Sequence, residues 1–196
     1  MDIRNRGERR NEKMGIKNTC CFAGGGLQQL SYGYDRKKPD CAQLKEMLYQ
    51  IILKLVLEER VTRFLSGMTL GLDEIFAELV LEIKGQYPQV SLECVIAYEE
   101  QHIHWTVSQR KKYFEILENC DKEITLQGIY TEDCRRKWNR YVVDISGSML
   151  AVWDNDNRSR TGQTVRYARE AGRNIIRIHP ITMEITRQIQ TNTVRI

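Results

Sequence analysis

Glycine-rich segments occur at two points of the chain where a phosphate group could approach the backbone. The first is Phe22-Ala23-Gly24-Gly25-Gly26, and the second runs from Ser66 to Asp73 and contains Gly67, Met68 and Gly71. Backbone N–H groups in such turns, beside a helix N-terminus, bind anions. Neither segment has the spacing of a Walker A loop or of a complete GxGxxG motif. Each therefore indicates either a phosphate-binding loop or a tight turn that needs glycine for its conformation.

One carboxylate ends the second segment and another follows it. Asp73 and Glu78 could lie as a pair beside a ribose. Asp73 also stands at a predicted helix start, where a carboxylate caps free N–H groups and suits the helix dipole. Glu78 lies a turn and a half further along and has no capping role, so it is the stronger candidate for contact with a ligand.

Histidines and cysteines give little support for metal or nucleophilic chemistry. His102 and His104 alternate beside Glu99 and Glu100, which could place donors on one face of an extended segment. We interpret this segment as a surface loop and predict no metal site. The six cysteines form no CxxC pair, so reduced core residues are expected. No catalytic residue and no cofactor are predicted.

The segment Arg135-Arg136-Lys137-Trp138-Asn139-Arg140 mixes basic and aromatic residues. Such a pattern could follow a phosphate backbone and stack a base. On a helix these side chains spread around the circumference, so we interpret the segment as one solvated face with Trp138 directed inward.

Short strand-like runs alternate with longer helical runs along the chain. Strands are predicted at Ile16–Ala23, Val61–Leu65, Val90–Ala97, Glu123–Leu126, Ser148–Trp153 and Asn174–Ile178. Helices are predicted at Cys41–Arg60, Leu72–Tyr87, Thr106–Cys120, Asp133–Ile145 and Thr161–Ala171. This alternation predicts an α/β fold, a Rossmann-like three-layer α/β/α sandwich with a mostly parallel sheet.

The 196 residues suit one such domain at 16–180, preceded by a flexible basic leader at 1–15. Residues 181–196 are expected to form a C-terminal extension or an edge strand. The formal charge of +4 divides into +3 for residues 1–18, −3 for the middle and +4 for residues 154–196. A divided charge is not typical of a dedicated duplex-binding protein, so a nucleic-acid partner is not expected.

No apolar run is long enough to cross a bilayer, and the hydrophilic start lacks the apolar region of a secretory signal. We therefore expect a cytoplasmic location and no membrane partner.

The second glycine segment, with Asp73 and Glu78, resembles the signature of the YpsA-like family in the SLOG superfamily, which also contains Smf and the LOG phosphoribohydrolases. Further matches follow in the expected order over about residues 17–180: Cys20-Cys21-Phe22 with Gly24; Tyr87-Pro88; Glu99 with Gln101 and Trp105; Tyr130 with Cys134; Asn139-Arg140-Tyr141 with Asp144; Ala151-Val152 with Asp154; and Thr164-Val165-Arg166-Tyr167-Ala168. The resemblance implies a Rossmann-like sheet and a pocket for a nucleotide-derived ligand.

The chain departs from the family pattern in its loops. Where the family's first loop reads FTGHRP, this chain has Phe22-Ala23-Gly24-Gly25-Gly26-Leu27. A typical proline after the third strand is Ala97, the arginine before Asn139 is Trp138, and the Gly-Gly pair before the last helix is Ser159-Arg160. Three explanations are open: a changed ligand, a degenerate pocket or an engineered sequence.

The function predicted from these observations is binding or sensing of a nucleoside phosphate or an ADP-ribose-like ligand at the carboxyl edge of the sheet. The predicted ligand-binding residues are Gly24, Gly25, Gly26, Ser66, Gly67, Met68, Gly71, Asp73, Glu78, Gln101, Asn139, Arg140, Asp144, Asp154, Thr161 and Thr164. The alternatives are a nucleotide N-glycosidic hydrolase of LOG type, which lacks its PGGxGT loop here, and single-stranded nucleic-acid binding of Smf type. The sequence leaves homo-oligomer formation open and favours a protein that is not an enzyme.

Overall fold

A computed structural model describes residues 15–25 and 38–189. The predicted leader up to residue 14 lies outside these residues, as do Gly26 and the loop that continues from it. The strands are β1 (Thr19–Gly24), β2 (Arg63–Ser66), β3 (Ser91–Ile96), β4 (Lys122–Thr125), β5 (Ser148–Val152), β6 (Asn174–Ile178) and β7 (Ile185–Gln188). The helices are α1 (Pro39–Glu59), α2 (Leu72–Gln86), α3 (Val107–Asn119), α4 (Cys134–Asp144) and α5 (Arg160–Glu170).

The strands form one sheet in the order β4-β3-β2-β1-β5-β6-β7. Every neighbouring pair from β4 to β6 is parallel, and β7 alone runs antiparallel, against β6. The predicted α/β class with a mostly parallel sheet is therefore confirmed. None of the helices in the described part of the chain is long and apolar enough to cross a bilayer.

Helices cover both faces of the sheet because successive side chains of a buried strand point to opposite sides. Cys20 and Phe22 of β1 face the core beneath α1, α2 and α3, where Phe22 stacks on Phe76 at a centroid distance of 4.5 Å. Cys21 and Ala23 face the second core, beneath α4 and α5. Helices on both faces produce the three layers.

The first predicted strand begins too early. Residues 15–17 are helical and β1 starts at Thr19, whose hydroxyl donates a hydrogen bond to the carbonyl of Gly15 (2.6 Å). Ile16 therefore belongs to a helical turn. The apolar pattern alone could not distinguish this turn from the start of the strand. At the other end, the chain turns after Pro180 and adds β7 to the sheet, with Ile185 opposite Ile178.

The strand order reverses between β1 and β5: β2, β3 and β4 extend the sheet on one side of this pair, and β6 and β7 extend it on the other. The chain leaves β1 for α1 on one face, whereas it leaves β5 for α5 on the other. The loops after these two strands therefore diverge at the carboxyl edge of the sheet. In open α/β sheets this switch point is where ligands bind.

Candidate ligand site at the carboxyl edge of the sheet

The loop between β2 and α2 is held by its own polar groups. The Ser66 hydroxyl donates to the carbonyl of Asp73 (2.9 Å) and accepts from the N–H of Met68 (3.3 Å). The Gln101 side-chain amide donates to the carbonyls of Gly67 (3.2 Å) and Met68 (3.0 Å). Met68 is buried with a positive φ of 52°. Ser66 and Gln101, both predicted to touch a ligand, therefore position this loop.

Two glycines of the predicted site are required by close packing. A Cβ at Gly67 would lie 2.6 Å from Cζ2 of Trp138 and 3.1 Å from Oδ2 of Asp73. A Cβ at Gly24 would lie 2.7 Å from Cβ of Leu72. Because no side chain fits at either position, the backbone of β1 and of the β2–α2 loop approaches the start of α2 directly.

Asp73 is a buried carboxylate behind this loop. Its Oδ2 accepts hydrogen bonds from the N–H of Thr69 (3.1 Å) and from the Thr69 hydroxyl, while no described residue donates to Oδ1. Burial raises the pKa of Asp73, and the Arg135 charge, the Thr69 bonds and the nearby N–H of Gly24 oppose that rise. The N-cap position of α2 is Gly71, so the predicted capping role for Asp73 is wrong, because the carboxylate reaches back to the loop.

Two arginines stand at the starts of neighbouring helices at the same edge. Arg135, in the first turn of α4, has its guanidinium carbon 4.6 Å from the ring centroid of Trp138, and its Nε has no hydrogen-bond partner among the described residues. Desolvation lowers the pKa of Arg135, the Asp73 charge raises it, and the charge of Arg160 lowers it further. Arg160 is the first residue of α5. The pKa of Arg135 is therefore influenced by the charges of both Asp73 and Arg160.

The sequence-based prediction missed both arginines. It assigned Arg135 to a solvated face and noted Arg160 only as a departure from the family's Gly-Gly pair. One signal was available for Arg135, because residues three apart share a helix face and Trp138 was expected to point inward. Arg160 had no comparable signal, because its position depends on where α5 begins relative to α4.

Glu78 lies elsewhere. Its carboxylate forms an ion pair with Lys112 of α3, in a groove that Leu81 and Ile116 also line. This groove lies between α2 and α3 and shares no residue with the glycine loops. The structure therefore does not place Glu78 beside Asp73.

The predicted ligand-binding residues of α4 lie at different positions along the helix and do not form one site. The Asn139 side-chain oxygen accepts from the Thr164 hydroxyl (2.9 Å), which joins α4 to α5, and Arg140 is exposed. Asp144 accepts from the Tyr167 hydroxyl (3.0 Å) at the last turn of α4. Because a crossover helix runs from the carboxyl edge back to the amino edge of a parallel sheet, Asp144 lies at the opposite edge from the loops.

The loop between β5 and α5 completes the carboxyl edge. Exposed Asp154 accepts from the N–H of Asp156 (3.0 Å). Ser159 caps α5 by accepting from the N–H of Gly162 (3.0 Å), and Thr161 is buried in the first turn. The helix therefore begins at Arg160, one residue before the predicted start, and its N-cap is a serine that the prediction did not name.

His102 and the cysteines pack within the fold and form no catalytic arrangement with one another among the described residues. His102 stacks on Tyr113 at a centroid distance of 5.1 Å. Within 15–25 and 38–189, no group of three or more metal-ligating side chains is present. All six cysteines are free, and burial raises the pKa of Cys21 to about 12 and that of Cys20 further. The thiols of Cys20 and Cys21 are therefore held in their un-ionised, unreactive form.

A Rossmann-like sheet with glycine loops at the carboxyl ends of β1 and β2 defines the class of this protein. The family model YpsA, described as the YspA SLOG family, matches residues 25–185, and the chain belongs to this family. The predicted family is thereby confirmed, together with its association with nucleotide-related Rossmann-like modules.

Relatives in bacilli are similar over most of the domain. The uncharacterized SPbeta prophage-derived protein YoqJ of Bacillus subtilis is 27% identical over 158 residues, which cover 74% of this chain and 92% of that protein. A UPF0398 protein of Halalkalibacterium halodurans is 34% identical over 115 residues, 58% of this chain and 60% of the relative. Another from Brevibacillus brevis is 25% identical over 129 residues, 63% of this chain and 66% of the relative.

Proposed function

We propose that this protein is a binding or sensing module for a nucleotide-derived ligand, held at the carboxyl ends of β1, β2 and β5. One observation carries this proposal: Arg135 and Arg160 stand in the first turns of the neighbouring helices α4 and α5 at that edge, one turn before the hydrogen bond between Thr164 and Asn139 (2.9 Å) that joins the two helices. Two like charges are costly to hold together, so their convergence favours an anionic occupant.

The groups at this edge suit a phosphate. A guanidinium gives a phosphate charge-assisted hydrogen bonds, which glycine N–H groups alone do not supply. Arg135 and Arg160 therefore provide the positive charge that the first loop lacks where the family has arginine and histidine. The Asp73 carboxylate is buried behind the β2–α2 loop, so it orders that loop and does not contact the ligand. Gly25, Gly71 and Asp154 would border the ligand.

The positions of the two candidate carboxylates, Asp73 and Glu78, favour binding without hydrolysis. Glu78, the stronger candidate for acid–base chemistry in the sequence, is paired with Lys112 in a separate groove. Hydrolysis of an N-glycosidic bond would then rest on Asp73 alone, and Asp73 is engaged with Thr69. We propose the cytoplasm, where nucleotides are abundant, as the location.

Calorimetry tests the proposal. Inorganic phosphate, ribose 5-phosphate, AMP, ADP and ADP-ribose are titrated into the full chain at low salt. We expect saturable binding of at least one organic phosphate, weakened about tenfold by Arg135→Gln and by Arg160→Gln, since each removes one charge-assisted hydrogen bond. The matched control is Arg136→Gln, because Arg136 is an exposed neighbour that contacts Asp133 (3.8 Å).

Two results would overturn the proposal. One is the absence of saturable heat with all five compounds. The other is equal weakening by the Arg136 control, which would indicate nonspecific attraction to a basic surface. Urea unfolding of each variant checks the fold, and the exposed Arg160 provides a substitution that should not disturb the core.

A further inference from the structure

Arg177 occupies a position in β6 where the strand pattern predicts an apolar side chain. Ile175 and Arg177 lie on the same face of the sheet, and Ile175 belongs to the core beneath α4 and α5. The Arg177 side chain is only 11% exposed. A charged group is rarely buried to this extent unless polar groups or opposite charges compensate it.

The described residues satisfy the Arg177 guanidinium only in part. One terminal nitrogen donates to Oδ1 of Asn155 (2.5 Å), in the loop after β5. The other lies 3.5 Å from the carboxylate of Glu184, a side chain that is 63% exposed. The buried Nε has no hydrogen-bond partner among the described residues. Because the N–H groups of a guanidinium form a fork that matches an oxyanion, the open donor indicates an anion-binding position.

A cavity of about 210 Å³ lies beside Arg177, between α5 and the strands β6 and β7. Directly opposite residues of antiparallel strands share a face of the sheet. Thr186, opposite Arg177, and Gln188, opposite Ile175, therefore line the cavity from β7. The apolar part of its wall consists of Trp153, Val165 and Ile175.

Arg169 of α5 brings a second guanidinium to this cavity. Its Nε donates to Oε1 of Gln188 (3.2 Å), and its guanidinium carbon lies 5.2 Å from the ring centroid of Trp153. Neither contact neutralises the charge of Arg169. Arg187 also borders the cavity, but it pairs with Glu59 of α1, on the other face of the sheet. The cavity therefore combines two guanidinium groups with an apolar wall.

We propose that this cavity binds a small organic anion, with Arg177 and Arg169 on its carboxylate or phosphate group and a short apolar body against Val165 and Ile175. The volume of about 210 Å³ is below the range of about 300–1,000 Å³ that is typical of sites for drug-sized ligands, so the occupant is small. The apolar wall favours an organic anion over a bare inorganic one.

This site is separate from the one in the proposed function. The residues that line the cavity include neither the glycine loops nor Arg135 and Arg160. The cavity lies between a helix and the antiparallel strand β7, whereas the other site lies at the carboxyl ends of β1, β2 and β5. The inference therefore does not depend on the proposed function.

Proton–nitrogen correlation NMR of the full chain tests the proposal, because the Nε–H of Arg177 and the indole N–H of Trp153 give separate signals. Benzoate, phenyl phosphate, inorganic phosphate and the neutral benzamide are titrated in turn. We expect saturable shifts of both signals with benzoate or phenyl phosphate. Inorganic phosphate should bind about tenfold more weakly than the better organic anion, because it has no apolar body, and benzamide should cause no saturable shift.

Variants assign the binding to the two guanidinium groups. Arg177→Lys keeps the charge but loses the fork, and should weaken the better organic anion about tenfold. Arg169→Gln should also weaken it about tenfold, and Arg169 is exposed, so this substitution leaves the core intact. The matched control is Arg166→Gln, which removes the same charge from an exposed position one turn earlier on α5 and should leave the affinity unchanged.

Four results would overturn this inference. They are the absence of a saturable shift with both organic anions, binding of benzamide as tight as that of benzoate, equal weakening by Arg166→Gln, and an unchanged affinity in both Arg177→Lys and Arg169→Gln. Arg135→Gln distinguishes the two sites. It should leave benzoate binding unchanged, and a loss of that binding would show that the anion occupies the carboxyl edge instead.

Discussion

The two ends of α2 differ in what surrounds them. At its start, Asp73 is buried behind a loop in which Gly67 has no room for a Cβ. Further along, Glu78 shares a partly exposed ion pair with Lys112, and a Cβ at Gly85 would meet no atom within 4 Å. The difference shows that two acidic residues, or two glycines, in the same region can differ in burial and in the space around them. Burial, rather than residue type, marks the first turn as the candidate site.

The largest expected effect is steric and lies at the crowded end. Gly67→Ala should lower the free energy of unfolding by about 3 kcal/mol, because the new methyl group meets a buried ring and overpacking is costly. The ring of Trp138 cannot move aside easily, since its Nε1 donates to the carbonyl of Val95 (2.8 Å). Urea unfolding monitored by circular dichroism measures this change. A variant as stable as the wild type would show that the loop is loosely packed.

A smaller loss is expected when the two carboxylates are removed in turn. Asp73→Ala should lower the free energy of unfolding by about 2 kcal/mol, because it leaves the partly buried N–H and hydroxyl groups of Thr69 without their acceptor. Glu78→Ala, its matched control, should lower it by less than about 1 kcal/mol, as expected for a partly exposed ion pair. Equal losses in the two variants would contradict the contrast between the two ends.

The raised pKa of Asp73 also predicts a dependence on pH. Because burial raises this pKa above its ordinary value of 3.8, the folded state holds a proton that the unfolded state has already released. Stability from this group is therefore greatest below about pH 3.8 and falls as the pH rises through the folded-state pKa. Asp73→Asn does not titrate here, so its stability relative to the wild type should increase from pH 4 towards pH 7. Urea unfolding of both proteins across that range measures the difference, and a constant difference would contradict this assignment.

The smallest effect is expected at the open end and has the opposite sign. Gly85→Ala should raise the free energy of unfolding by about 0.5 kcal/mol, because alanine has the higher helix propensity and the position has space for its methyl group. Differential scanning calorimetry of this variant beside Gly67→Ala gives the contrast directly. A decrease in the melting temperature for Gly85→Ala would show that the open end is more constrained than it is in the structure.

The periodicity of apolar residues predicted most of the fold. The site could not be predicted in the same way, because it depends on how the helices pack against one another. The alternation of strands and helices identified β6 to the residue, at Asn174–Ile178, because an apolar run between a glycine turn and a proline has clear limits. The same rule placed the glycine loops at the carboxyl edge. It failed for Glu78, since five residues turn a helix by about 140° and direct its side chain away from Asp73. A linear pattern also could not show that Arg135 and Arg160 open adjacent helices, because that depends on how α4 packs against α5.

The position of β1 at the centre of the sheet has a consequence for how the chain folds during synthesis. Its neighbour β5 is distant in sequence: Ser148 donates to the carbonyl of Thr19 across 129 positions. At ribosomal rates of roughly 5–20 residues per second, β1 waits on the order of ten seconds for that partner. The carboxyl ends of β1 and β5 border the switch point, so the candidate site assembles only when β5 joins the sheet. Ligand binding would then report that a newly made chain has finished folding.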